Sequence, residues 1–267
     1  MISFAIYEFR LYAPATVNGR ATNGLIDTGA NRCSISPQLA EGLPVERTAI
    51  VHGALSAQQS NRVRLESLSF LDSIRNDLEV SVGVIAGGAP FEVGCLLDAT
   101  TLLSKPLALS FKEQQIGFVE TPLRDDLVRV PLEISETLPF TTCMLDGEPL
   151  HTIFDTGAGY SVINSARREM LAPQARHAYD LNDVGDANQA RQTISVWEGG
   201  PLEVGGFSLG HCAFLEMDLS VLETKLQTQV DFILGVNTLL TANLVFVMDA
   251  PNRQLGVAPQ GTRVTKA

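Results

Sequence analysis

Leu25-Ile26-Asp27-Thr28-Gly29-Ala30 decides the fold, because the chain contains a near copy of it at Ile153-Phe154-Asp155-Thr156-Gly157-Ala158. In both copies two large apolar residues lead into an aspartate, a threonine, a glycine and an alanine. A carboxylate at the end of an apolar strand is costly to bury unless neighbouring groups stabilise it. Two such acids in matching contexts therefore predict a pair that meets in the folded protein.

The sequence before each acid is repeated as well. Gly19 of an Asn-Gly pair lies eight residues before Asp27, and Gly147 of an Asp-Gly pair lies eight residues before Asp155. Both dipeptides favour tight hairpin turns because their residues tolerate positive φ, so each acid is predicted on the return strand of a hairpin. The acids, at positions 27 and 155, are 128 residues apart, and the chain is interpreted as a tandem duplication.

The rest of the chain indicates two β lobes. Many short alternating segments and few long helical periodicities predict an all-β protein, with two homologous barrel-like lobes related by a pseudo-two-fold axis. Short helices are expected at Pro37 to Gly42 and at Ser165 to Leu171, and a polar linker at Glu120 to Arg129. The predicted domains are residues 1–122 and 123–267, with one of the two acids in each.

Composition argues against several classes of partner. The 267 residues are 45% hydrophobic and 18% charged, and the formal net charge is −11 at pH 7. These values are typical of a well-packed globular protein and argue against nucleic acid or an anionic membrane as partner. The first ten residues carry charge and lack a long apolar run, and no segment approaches the ~18 apolar residues of a membrane span. A cytoplasmic protein without a signal peptide is therefore expected.

The cysteines and histidines show no spacing typical of a metal site or a disulfide. They are Cys33, Cys95, Cys143, Cys212, His52, His151, His177 and His211. Reduced cysteines are the simplest interpretation, and neither a metal nor a cofactor is predicted.

Two facing carboxylates would supply a definite chemistry. If the lobes pack about a pseudo-two-fold axis, Asp27 faces Asp155, because equivalent residues near such an axis approach each other. Two carboxylates ~3 Å apart repel by roughly 5 kcal/mol at an effective dielectric of about 20, so the pair holds one shared proton over a wide pH range. One acid can then take a proton from water while the other donates one to a carbonyl oxygen. A single Asp-Thr-Gly would be interpreted as an ordinary turn, but its duplication favours catalysis.

The doubled Asp-Thr-Gly-Ala motif resembles that of pepsin-like and retroviral-type (retropepsin) aspartic peptidases. Ile233-Leu234-Gly235 resembles the apolar-apolar-Gly signature of the same family. The resemblance covers nearly the whole chain, and each half is nearer in size to a retropepsin subunit than to a pepsin lobe. It implies an aspartic endopeptidase that needs no cofactor or metal. The enzyme would act on a peptide or protein substrate as a monomer, a pseudo-dimer within one chain.

The resemblance also assigns roles to individual residues. It implies that Asp27 and Asp155 are catalytic, and that hairpins near Gly53 and Gly185 are flaps that close over an extended peptide. The supporting loop residues are Thr28, Gly29, Ala30, Thr156, Gly157, Ala158 and Gly235, and the flap residues are His52, Gly53, Val184 and Gly185. The threonines are expected to hydrogen-bond across the axis, and the glycines to let backbone amides approach the carboxylates.

The first half departs from the family pattern at two places. Asp98 stands where the second half has Gly235, and it would either crowd the loop that carries Asp27 or point to solvent. The first flap has His52 and Leu55 nearby but lacks the tyrosine of pepsin-like enzymes.

Alanine at positions 30 and 158 predicts a milder working pH. Many pepsin-like enzymes have a hydroxyl residue there, which can donate a hydrogen bond to the carboxylate and lower its pKa. Without that donor the dyad is expected to titrate higher. Two alternatives stay open: a catalytically weak peptide-binding module, which Asp98 favours, and a swapped dimer in which halves pair between chains.

Overall fold

The computed structural model describes residues 1–52, 57–85, 89–120, 127–185 and 191–262. These residues form 22 strands and five short α-helices. The strands are β1 (Ile2–Ser3), β2 (Ala5–Tyr7), β3 (Arg10–Val17), β4 (Arg20–Ile26), β5 (Ser34–Ile35), β6 (Val45–His52), β7 (Ala57–Phe70), β8 (Ser73–Val82), β9 (Val93–Leu97), β10 (Leu107–Ser110), β11 (Gln115–Phe118), β12 (Val128–Pro131), β13 (Glu133–Ser135), β14 (Leu138–Leu145), β15 (Glu148–Phe154), β16 (Ser161–Asn164), β17 (Arg176–Gly185), β18 (Arg191–Val204), β19 (Phe207–Met217), β20 (Phe232–Leu234), β21 (Leu244–Asp249) and β22 (Gln254–Pro259). The helices are α1 (Pro37–Ala40), α2 (Ala99–Leu102), α3 (Arg168–Leu171), α4 (Ser220–Leu226) and α5 (Val236–Thr241), and a 3₁₀ turn over Ser165–Arg167 precedes α3.

Two eight-stranded sheets have the same topology, one in each half. The first has the strand order β2-β3-β4-β9-β5-β8-β7-β6, and the second has β13-β14-β15-β20-β16-β19-β18-β17. An additional pairing closes each sheet at the corresponding place, β3 with β7 and β14 with β18. The predicted all-β fold of two homologous lobes is confirmed.

A third sheet joins the halves. Its six strands have the order β1-β11-β10-β21-β22-β12, so each half contributes three. The central pair is antiparallel β10 and β21, with Leu109 opposite Phe246. The pseudo-two-fold axis therefore passes between these two strands. The predicted division between residues 122 and 123 falls in 121–126, outside the described residues, and stays a prediction.

The two predicted hairpin turns form at the dipeptides that predicted them. Asn18 and Gly19 have φ of 47° and 76°, and Asp146 and Gly147 have φ of 52° and 87°. Positive φ at both central residues is the requirement of a type I′ turn, whose twist matches that of the flanking strands. The turns set the register of β3 with β4 and of β14 with β15, and so bring both acids to equivalent places.

The predicted helices form as α1 and as the 3₁₀ turn followed by α3. The predicted linker, by contrast, extends too far, because its residues Val128 and Arg129 belong to β12. Their strand is at the edge of the third sheet, where Pro131 is tolerated because an edge strand can lack an N–H donor. The charged residues and the prolines of this stretch indicated a linker, although its apolar residues alternate as in a short strand.

Phenylalanine rings connect the halves beneath the two acids. Phe154, which directly precedes Asp155, packs edge-on against Phe246 with a centroid distance of 5.3 Å. Phe246 packs in the same way against Phe111 of the first half, at 6.2 Å. Each such pair adds about 0.5–1.5 kcal/mol beyond the burial of its area. The acid loops therefore rest on a core that is continuous across the axis.

The four cysteines are buried free thiols. Burial raises the pKa of Cys95 and Cys143 to about 12 and that of Cys212 to about 11. Among the described helices, none is long and apolar enough to cross a membrane.

Candidate active site

Each acid lies at the end of a central strand that a parallel neighbour fixes. Asp27 follows β4, and its amide donates to the carbonyl oxygen of Leu97 on β9 at 3.1 Å. Asp155 follows β15, and its amide donates to Leu234 on β20, also at 3.1 Å. The apolar residues before each acid fill the core on these strands, so the strand ends and the acids have little freedom.

The two threonines brace the loops across the axis. The Thr28 amide donates to the Thr156 hydroxyl at 3.1 Å, and the Thr156 amide donates to the Thr28 hydroxyl at 3.0 Å. The same hydroxyls donate to carbonyl oxygens of the opposite half, Thr28 to Phe154 at 2.7 Å and Thr156 to Ile26 at 2.8 Å. Both threonines are fully buried. These four reciprocal bonds hold the loops, and hence the carboxylates, in one relative position.

Gly29 and Gly157 allow the carboxylates to approach the opposite loop. A Cβ at Gly29 would overlap the carboxyl group of Asp155, and a Cβ at Gly157 would overlap that of Asp27. The Gly29 amide donates to Asp27 Oδ1 at 3.0 Å, and the Gly157 amide donates to Asp155 Oδ1 at 2.8 Å. Any larger residue would therefore separate the acids.

The electrostatics of the pair favour retention of a proton. Burial is the largest cause of the raised pKa of both carboxyls, although both residues remain partly exposed. For Asp27 the charge of Asp155 is the next cause, and its pKa is well above the usual value. Backbone amides oppose the rise at both acids, and Asp155 also accepts from the Ala158 amide at 3.1 Å. The carboxyls also lie within hydrogen-bonding reach of each other, which suits a shared proton.

Gly235 supports the second loop at close range. A Cβ at this position would overlap the backbone carbonyl carbon of Tyr160, and the Gly235 amide donates to Ser161 Oγ at 3.0 Å. The next amide, of Val236, donates to the Ala158 carbonyl oxygen at 2.9 Å. Position 235 thus requires glycine, because the backbone of Tyr160 occupies the place that a Cβ would take.

Asp98 at the equivalent place neither crowds the first loop nor points to solvent. It is 4% exposed and caps α2, accepting from the Thr101 amide at 2.9 Å. Its carboxylate also accepts from the Cys33 thiol at 3.1 Å and pairs with Arg75 at 3.4 Å. The amide of the next residue, Ala99, donates to the Ala30 carbonyl oxygen at 2.9 Å, as Val236 does to Ala158. Both loops therefore share this backbone hydrogen bond.

His52, Val184 and Gly185 lie at the ends of two long hairpins. β6 pairs with β7 up to His52 opposite Ala57, and β17 pairs with β18 up to Gly185 opposite Arg191. Val184 is opposite Gln192. Gly53 and the tips at 53–56 and 186–190 lie outside the described residues.

One contact at the site was not expected from the sequence. Phe9 and Tyr160 meet across the halves, with ring centroids 5.2 Å apart and planes at 70°. Phe9 lies in the turn between β2 and β3, where Glu8 and Phe9 have φ of 47° and 55°. Positive φ at a phenylalanine is unusual and marks a constrained turn. The repeat offered a signal for this turn, since Glu136, 128 residues after Glu8, begins the equivalent turn of the second half.

Within the described residues, no cluster of His, Cys, Asp or Glu side chains could hold a metal ion. The site consists of two carboxylates, backbone amides and threonine hydroxyls. Such a fold and site define an aspartic-proteinase architecture. The aspartic proteinase from Irpex lacteus has a similar structure, with a TM-score of 0.57, 13% identity and coverage of 97% of both chains.

The sequence itself shows the family. The family model described as "Aspartyl protease" matches residues 13–96 and 141–238, one region in each half, and the chain belongs to this family. No curated protein sequence matches the chain. The predicted family resemblance is thereby confirmed, and a protease-type function follows from it.

Proposed function

We propose that the protein is an aspartic endopeptidase that hydrolyses peptide bonds with a water activated between Asp27 and Asp155. The observation that carries this proposal is the reciprocal geometry of the two loops. Each glycine faces the opposite carboxyl, and each threonine is bonded to the opposite loop. Such an arrangement has a chemical purpose only if the two carboxyls act on the same group.

The raised pKa of both carboxyls supports one shared proton at mildly acidic pH. In the hydrolysis step the ionised carboxylate removes a proton from water, and the water oxygen attacks the carbonyl carbon of the peptide bond. The protonated carboxyl gives its proton to the carbonyl oxygen, and a tetrahedral diol forms. The proton taken from water then passes to the amide nitrogen and the C–N bond breaks. One hydroxyl proton of the diol returns to the carboxylate that had donated its proton, so an amine and a carboxylic acid leave and the dyad again holds one proton.

The substrate in this proposal is a peptide or protein segment that lies extended between the lobes. The hairpins β6–β7 and β17–β18 would pair with its backbone by strand addition, and pockets would accept alternate side chains. The residues His52, Gly53, Val184 and Gly185 are proposed to contact it. We propose further that one chain suffices, with residues 1–122 and 123–267 as its lobes, because the dyad is completed within a single chain.

A cytoplasmic location is also proposed, since four buried free thiols suit a reducing compartment. The alternative of a weakly catalytic peptide-binding module loses its supporting feature, because Asp98 is a helix cap and leaves the backbone bracing of the first loop intact.

The decisive experiment is a cleavage assay with a peptide library over a range of pH. The wild type should cleave, a statine-type transition-state mimic should inhibit, and Asp155→Asn should lose about 10²–10⁴-fold in rate, the usual contribution of acid–base catalysis. Thr241→Ala is a control because this residue lies in α5, bonded within its own half. Cleavage that survives Asp155→Asn unchanged contradicts the dyad mechanism.

A further inference from the structure

Three arginines gather around one glutamate in the first half. Arg32 Nη1 lies 2.8 Å from Glu79 Oε1, and Arg47 makes a two-point contact to the same carboxylate at 2.7 and 2.9 Å. Arg62 lies beside them on β7 and donates to the Ser81 hydroxyl. We call Arg32, Arg47 and Arg62 the arginine cluster. One carboxylate neutralises only one of its three charges.

Arg62 is the most unusual member of the arginine cluster. It is 5% exposed, and its Nε has no hydrogen-bond partner within the described part of the chain. Burial and the nearby charge of Arg32 lower the pKa of Arg62, whereas the charge of Glu79 opposes this shift. Glu79 is shared among the three arginines, so the arginine cluster keeps an excess of positive charge that suits an incoming anion. The local excess of positive charge contrasts with the net charge of −11 of the whole chain.

Strand register identifies the equivalent positions in the second half. Arg47 is opposite Arg62 just after a bulge, as Tyr179 is opposite Val196 just after a bulge. Tyr160 is 128 residues after Arg32. The partners of Arg62 and Val196 on the next strand are Ser81 and Leu215. The positions that are charged or polar in one half are thus aromatic or aliphatic in the other.

The aromatic counterparts show which way these positions face. Tyr160 follows Asp155 by five residues and contacts Phe9 of the opposite half, so this position of the loop faces the cleft between the lobes. Arg32 follows Asp27 by five residues and occupies the equivalent loop position. Pseudo-symmetry therefore directs Arg32 into the cleft on the other side of the dyad.

We propose that the arginine cluster is a subsite for an anionic group of the substrate, an aspartate or glutamate side chain, on the first-half side of the scissile bond. Tyr160, Tyr179 and Val196 form the apolar counterpart on the opposite side, where Phe9 of the first half packs on Tyr160. Because the two subsites are related by the pseudo-two-fold axis, they read residues at equal distances from the scissile bond. The cleft thus binds, in one direction only, a peptide that has an acidic residue on one side of the scissile bond and an apolar residue on the other. This inference rests on the proposed function, since it takes the peptide to lie across the dyad.

The test measures binding separately from cleavage. Peptides with a reduced, non-cleavable amide bond carry one aspartate, moved through the positions on either side of that bond, and a matched set carries asparagine. At one position the aspartate peptide should bind the wild type about tenfold more tightly, because hydrogen bonds between charged groups exceed those to a neutral amide. Fluorescence anisotropy gives both affinities.

Variants assign the selectivity to the arginine cluster. Arg47→Gln should reduce the aspartate-to-asparagine ratio towards one, and Arg47→Glu should make a lysine peptide bind better than the aspartate peptide. The Arg47 side chain is 54% exposed, so these substitutions leave the core intact. Arg20→Gln is the matched control, because Arg20 is an exposed arginine at the start of β4, beside the far end of β7. The control should keep the wild-type ratio.

Equal binding of aspartate and asparagine peptides at every position would overturn the subsite. An equal loss of selectivity in Arg20→Gln and Arg47→Gln would also overturn it, since the effect would then come from overall charge. Cleavable versions of the same peptides separate the two proposals. Hydrolysis without preference for aspartate removes the subsite and keeps the endopeptidase, whereas aspartate-selective binding without hydrolysis keeps the subsite and removes the endopeptidase.

Discussion

Thr156→Val tests whether the reciprocal threonine contacts hold the halves together. The Thr156 hydroxyl accepts from the Thr28 amide at 3.1 Å and donates to the Ile26 carbonyl oxygen at 2.8 Å. Valine fills nearly the same volume, so packing is preserved while both bonds are lost. The substitution leaves one amide and one carbonyl oxygen buried without their bonds, and each costs about 1–3 kcal/mol. The free energy of unfolding should therefore fall by about 2–6 kcal/mol.

Urea denaturation at fixed pH measures this free energy. Thr156→Ser is the control, because it keeps the hydroxyl and removes only a methyl group, at a cost of about 1 kcal/mol. Thr28→Val removes the reciprocal bonds to Thr156 and Phe154, so it should cost a similar amount. The pseudo-symmetry makes the two valine variants independent repeats of one experiment.

A Thr156→Val variant as stable as Thr156→Ser would refute the reasoning. It would mean that the loss of both hydroxyl hydrogen bonds costs no more than the loss of one methyl group, and that the strands beneath the loops are sufficient to position them. A large effect at Thr156 with none at Thr28 would contradict the symmetry of the bracing.

The remaining predictions concern the shell of the dyad and its titration. Gly235→Ala should destabilise the fold by about 1–3 kcal/mol, because its Cβ would overlap the backbone of Tyr160; thermal and urea unfolding check this. Asp98→Ala should cost about 1 kcal/mol by removing the cap of α2, and Asp98→Asn should cost less, measured in the same way. The raised pKa of Asp27 means that its contribution to stability is full below its unfolded pKa and is lost as pH rises through its folded pKa. The stability of Asp27→Asn relative to wild type should therefore improve from pH 4 to pH 7, and an unchanged difference would contradict the shift. Ala158→Ser adds a hydroxyl donor beside the dyad and should move the acidic limb of the cleavage profile to lower pH, whereas a shift to higher pH would contradict the argument.

Local chemistry made the acid loops predictable. Asn18-Gly19 and Asp146-Gly147 can adopt the positive φ that a tight hairpin requires, and the apolar residues before each acid demand burial. These signals are contained within about ten residues, so they fix the turn, the strand and the acid together. The repeat then supplied the long-range contact, because a duplicated loop near a two-fold axis meets its own copy.

Non-local pairing was harder to predict. The sheet that joins the halves depends on β10 meeting β21, and nothing in either strand specifies the other beyond its apolar character. The arginine cluster was missed for the same reason. Arg32, Arg47 and Arg62 are isolated charges in the sequence, and only the pairing of β6 with β7, of β7 with β8 and of β5 with β8 brings them near Glu79. A comparison of Arg32 with Tyr160 at the repeat offset would have shown the asymmetry.

Whether a position of the repeat is identical or different in the two halves depends on its distance from the pseudo-two-fold axis. Gly29 and Gly157 face the opposite carboxyls, so a change in either would disturb a contact made by both halves. Arg32 is bonded to Glu79 within its own half, and Asp98 to Thr101. In a dimer of identical subunits any change at these positions would occur on both sides of the cleft. Fusion into one chain removes that constraint, so the dyad stayed symmetric while its surroundings could become specialised on one side.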